Sequence, residues 1–163
     1  MKGKQIFVLG LVILLLALAA TAALADSQDE LAQVRAATAQ FHQLEAAEAA
    51  GHVLLPGLDH CFNNPGVGAM GYHYINPVLL DTTVEAARPE ALVYAPDANG
   101  RVRLAAVEYI VPAALWEAEE LPSLFGHSFH LNEALGVHVL HAWIWQHNPA
   151  GIFEDWNPEV SCP

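Results

Sequence analysis

Apolar and polar positions alternate from Val137 to Gln146, and Asn148-Pro149 closes the run, a pattern that predicts a half-buried strand. Side chains on a strand point alternately to its two faces, so His138, Leu140, Ala142 and Ile144 are expected on one side and Val139, His141, Trp143 and Trp145 on the other. Two further strands, Ala91–Ala95 and Arg101–Val111, flank the turn sequence PDANG, whose Asn99-Gly100 supplies the positive φ angles of a hairpin. In the second of them Val102, Leu104, Ala106, Glu108 and Ile110 alternate with Arg103, Ala105, Val107, Tyr109 and Val111. Both sets are largely apolar beyond Arg103, which predicts a central strand covered on both faces, with Glu108 the anomaly in it. Met70–Ile75 reads as a short strand, Tyr72 and Tyr74 facing one way and His73 the other, stopped by Asn76-Pro77.

Ahead of these strands the period changes. Ser27 with Glu30 has the form of a capping box, and Leu31, Val34, Phe41 and Leu44 recur at near-helical spacing, so a helix is expected from Ser27 to Ala50 with Gly51 as its stop. Pro and Gly break up His52–Gly71 into a loop. Pro77–Ala87 reads as a short helix or turn, Ala113–Glu120 as a short amphipathic helix, and Leu121–Leu135 as a loop or helical turn. Strands without regularly alternating helices point to an α+β fold, an N-terminal amphipathic helix packed on a small antiparallel β-sheet, rather than a doubly wound parallel one.

The first 25 residues stand apart. Lys2 and Lys4, the apolar run Ile6–Ala20 and the small-x-small ending Ala23-Leu24-Ala25 are expected to form a cleaved signal peptide, with retention as an anchor the other outcome. Residues 26–163 then make a single secreted or periplasmic domain. That stretch holds all 18 acidic residues against four arginines and no lysine, a net charge of −14 with neutral histidines. Such a surface repels phosphate backbones and anionic lipid, so neither nucleic acid nor, after cleavage, a membrane is an expected partner; a metal ion or small-molecule ligand is. Cys61 and Cys162 are an even pair, expected to form a disulfide in an oxidising compartment; His60 beside Cys61 keeps a metal-bound thiolate as the alternative.

All nine histidines also lie in this stretch, and imidazole is the commonest transition-metal ligand. In a small antiparallel sheet His73, Glu108 and His141 are expected as neighbours, two nitrogens and a carboxylate, with His138 as substitute; zinc, copper or iron would suit them. Glu108, desolvated among apolar residues, is also a candidate catalytic acid or base, against the plainer expectation that it pairs with Arg101, Arg103 or a histidine. His127-x-x-His130 is expected to be a solvent-facing pair before it is a chelate. The leading expectation is a small exported metal-binding protein, open to hydrolase or oxidase chemistry. A metal-free module binding carbohydrate or another apolar ligand through exposed Tyr and Trp is the first alternative, and a structural or interaction protein with an acidic surface the second. If the histidines ligate, metal affinity is expected to fall between about pH 7 and pH 5 as imidazole protonates.

Overall fold

A computed structural model describes residues 27–163 apart from Ala98. The expected signal peptide lies outside the described residues. The fold is α+β and its sheet is antiparallel throughout. Seven strands belong to that sheet: β1 (Val53–Leu54), β2 (Phe62–Asn64), β3 (Gly68–Ile75), β4 (Ala91–Pro96), β5 (Val102–Pro112), β8 (His130–Asn132) and β9 (Val137–Ala142). The order is β1-β3-β4-β5-β9-β8, with β2 paired to the first half of β3 off this path. β5 is central, between β4 and β9, and its Val107, Tyr109 and Val111 are buried on one side while Ala106 and Ile110 are buried on the other. Two strands outside the sheet, β6 (Ser123–Leu124) and β7 (His127–Ser128), form a hairpin.

One face of the sheet carries the main core. Leu92, Tyr94, Val107, Tyr109, Val111 and Leu140 pack there against Leu31, Val34 and Ala47 of the helical segment. That segment is not the single expected helix. The chain is α-helical over residues 27–38 (α1), passes through a 3-10 turn at Ala39–His42, and resumes as α2 at Leu44–Ala49, with Gln43 extended between them. Tertiary partners claim the groups a continuous helix would use. Thr38 bonds back to the Val34 carbonyl and receives the Trp145 indole N–H at 3.1 Å, while the Tyr94 hydroxyl donates to the Phe41 carbonyl. Gly51 does end the segment: at φ +94° it lets its own N–H reach the Glu48 carbonyl and that of His52 the Ala47 carbonyl.

Further expectations change as well. The β4–β5 register shifts between Val93 and Tyr94, so Ala105 and Ala106 both fall on the face opposite the helices and Leu104, expected beside Glu108, joins the helical side. β9 stops at Ala142, because the N–H groups of Trp145 and Gln146 both turn to the Ala105 carbonyl at that bulge. Trp143 and Trp145 therefore separate to opposite sides, Trp143 onto Val93, Ala106 and Val160, Trp145 onto the helical side. Ala113–Glu120 forms only a 3-10 turn, Ala113–Leu115, since it buries none of its residues and a helix that short has little stability of its own. Leu121–Leu135 is not helical but supplies β6, β7 and β8.

Cys61 and Cys162 form the disulfide, 101 residues apart. It ties the loop between β1 and β2 to the C-terminal tail, which is otherwise pegged by two side-chain amides, Asn148 donating to the Trp156 carbonyl and Asn157 to the His147 carbonyl, and by a backbone bridge between Asn157 and Ala69 of β3.

Candidate metal centre

On the face away from the helices, His73 of β3, Glu108 of β5 and His141 of β9 meet. Glu108 and His141 are direct partners in the antiparallel register, while His73 stands one strand further off, across β4. They can touch because β4 presents only Ala91 opposite Glu108 and Val93 opposite His73, small side chains that the two longer ones reach over. His73 Nε2 is 3.5 Å from Glu108 Oε2, and His141 Nδ1 is 3.6 Å from Glu108 Oε1. One ligand atom from each of the three lies within 4.8 Å of the others. His141 is 0 % exposed and the Glu108 side chain 12 %.

These separations are long for hydrogen bonds, yet two donors each about 2.1 Å from a tetrahedral ion lie roughly 3.4 Å apart. Both nitrogens of His141 are buried without a hydrogen-bond partner, an expensive state for imidazole unless something else occupies it. Aromatic rings fix the imidazoles: Phe62 stands edge-on to His73, His73 edge-on to His141, and Trp143 lies nearly parallel to His141. Arg101 and Arg103, offered by the sequence as partners for Glu108, both bind Asp97 instead.

Burial sets the protonation states. Desolvation raises the Glu108 carboxyl to about 8, with the nearby Asp155 and Glu90 carboxylates adding to it, and lowers His73 to about 4. His141 is likewise driven well below its ordinary value by burial, then by His73. Without an ion, the group at neutral pH is therefore a protonated carboxyl between two neutral imidazoles.

Asp155 was not among the expected site residues, and it completes the cluster. Its Oδ1 is 3.8 Å from His141 Nδ1 and has no hydrogen-bond partner, while its Oδ2 lies 3.1 Å from Nε2 of the solvent-exposed His130. Burial raises the Asp155 carboxyl. Nothing periodic marks this residue in the sequence; the signal available was the disulfide, which brings the tail back over the sheet. Glu90 was also missed: it is 2 % exposed, raised to about 7 by burial, and accepts the Ile110 N–H at 2.9 Å, a structural contact beside the site. His138 lies on the opposite face of β9, in register with Val111 and Leu131, outside the group. His127 packs on Phe153 while His130 turns to Asp155, so that pair is not one chelate.

Above the cluster opens an apolar cavity of about 230 Å³. Ile75, Ile110 and Val139 form its floor beyond His73 and Glu108, and Leu55 and Leu58 of the disulfide-tied loop, with Phe62 of β2, form its roof. Fold and site together define an antiparallel α+β domain with a buried His/Glu/His group at one end of an apolar cavity. Comparison with protein-family models, with characterised proteins and with solved structures returns no match.

Proposed function

We propose that this protein binds a transition metal ion through His73, Glu108 and His141 and uses it on a small molecule held in the adjoining cavity. The observation that carries this is the spacing of the three buried ligand atoms, too wide for hydrogen bonds and right for a shared ion, beside imidazole nitrogens that bond to nothing. Two imidazoles and one carboxylate with a position left open toward a cavity are what catalytic zinc sites and non-haem iron sites have in common, so metal-dependent hydrolysis and oxidation are the two chemistries proposed. Asp155 is available as a fourth ligand or as a base beside the ion. We take residues 1–25 as an export leader; the disulfide supports that, since such bonds persist in oxidising compartments. Among the described residues no helix is long and apolar enough to cross a membrane.

The test is elemental analysis of protein purified without a histidine tag. Near-stoichiometric zinc, copper or iron, lost in His141→Ala, is the expected result. Metal-free wild type that stays metal-free after dialysis against each ion overturns the proposal. In that event the carboxyl of Glu108, poised near neutrality beside two neutral imidazoles, favours a metal-free acid–base site. The carbohydrate alternative draws less support, because among the described residues no indole or phenol lines the cavity.

A further inference from the structure

The cavity is graded along the strands. In the β5–β9 register Glu108 faces His141, the next row is Ile110 with Val139, and the row after that Pro112 with Val137. Each row is two residues on, roughly 6.6 Å along the strand. The carboxylates and the buried imidazole thus gather at one end, and the rest of the wall is apolar apart from His130 and Asn132 of the edge strand β8. A cavity of about 230 Å³ exceeds the engineered cavity of about 150 Å³ that binds benzene in another protein. His130 and Leu135, both exposed, border the polar and apolar ends along the β8 side, which gives a ligand its way in.

Charge decides the head group. A dipositive ion among Glu108 and Asp155 is matched by two formal negative charges, so a third, carried by the ligand, would stand uncompensated in an apolar enclosure. The 18 acidic residues, set against six basic ones in the whole chain, oppose an anion's approach as well. We infer that the cavity takes an uncharged amphiphile, with an oxygen donor such as an alcohol, ester or amide placed at the His73–Glu108–His141 end and an unbranched or single-ring apolar tail lying over Ile110, Val139 and Val137. The inference rests on the metal reading above. It also orders turnover: hydrolysis of an ester by water gives an alcohol and a carboxylate, and the site and surface both disfavour retaining that anion.

The test is calorimetric titration of the zinc-loaded full chain with methanol, 1-butanol, 1-hexanol and hexanoate. Expected are one hexanol site per zinc, affinity rising up to roughly fourfold per methylene along the alcohols, and hexanoate at least tenfold weaker than hexanol. Val137→Phe and Leu58→Phe, which fill the apolar end from floor and roof, should each weaken hexanol binding about tenfold while zinc stoichiometry stays at one. Having two variants guards against either failing to fold. Hexanoate binding as tightly as hexanol, or zinc-loaded protein that binds no alcohol, overturns the inference and leaves the metal site standing; protein that holds no zinc overturns the metal reading first.

Discussion

Glu108 concentrates the energetic tension of the molecule. Its carboxyl, ordinarily near 4.5, is raised to about 8 in the folded chain, so its contribution to stability is fully present below pH 4.5 and is lost as pH rises through 8. His73 runs the other way: lowered from 6.5 to about 4, it contributes stability above pH 6.5 that is lost as pH falls through 4. Glu108→Gln replaces the neutral carboxyl with a neutral amide of similar shape. Urea denaturation of metal-free protein should show this variant within about 1 kcal/mol of wild type at pH 5 and more stable at pH 9, by as much as about 5 kcal/mol. A variant destabilised equally at both values would mean that Glu108 is not held as the acid. The same shift moves the pH range of metal binding. An ion must displace the Glu108 proton below about pH 8, whereas His73, held near 4, and His141, driven well below its ordinary value by burial, hardly compete. Zinc affinity should therefore fall roughly tenfold per unit from pH 8 downward, earlier and for a different group than unperturbed histidines would give.

Among the elements, β3 is the most constrained. Gly71, two residues before His73, has φ +112°, and a Cβ there would sit 2.5 Å from the Tyr94 carbonyl oxygen of β4. Gly71→Ala is expected to cost on the order of 3 kcal/mol in urea denaturation and to weaken metal binding by spreading β3 from β4, which displaces His73 from the other two ligands. Unchanged stability would show that the strands can part there without loss. How much of the site could be read from the chain follows from such elements. His73, Glu108 and His141 were legible together because each sits on a strand whose alternation and turn signals fix its side, and because antiparallel neighbours bring such sides into one face. Leu104 and Trp145 were misplaced because one bulge at Ala105 resets the alternation on β5 and draws the end of β9 off the ladder. The single Ser27–Ala50 helix failed because Thr38 and Phe41 are claimed by Trp145 and Tyr94, partners more than 50 residues away. Asp155 had no periodicity to betray it; its place comes from amide pegs and a disulfide.

At the scale of the whole molecule the two groups of shifts combine. In metal-free protein the cluster's contribution to stability should peak near pH 6.5, rising with pH below that as the imidazoles cease to protonate in the unfolded chain, and falling between 6.5 and 8 as Glu108 resists ionisation. Adding zinc should raise the melting temperature most near pH 8 and least near pH 5, and a chelator should reverse it; a chelator without effect anywhere in that range would remove the ion from the account. Breaking the disulfide is expected to be costly too. Closing a loop of 101 residues contributes on the order of 4 to 5 kcal/mol, so Cys61→Ser with Cys162→Ser should lower stability by about that amount and loosen the roof, read as weaker hexanol binding. That bond joins the loop carrying Leu58, beside Phe62 of β2, to the tail carrying Asp155, so it ties together two parts of the enclosure above His73 and Glu108. Ligands of this kind rank divalent ions by a fixed order of affinity, copper above zinc above iron, wherever all are offered. On the proposed reading of an exported metal-binding protein, a chain kept reduced until it has left the metal pools of its origin would meet its ion as the disulfide forms, and the ions on offer at the place of oxidation, rather than that ranking, would settle which one it keeps.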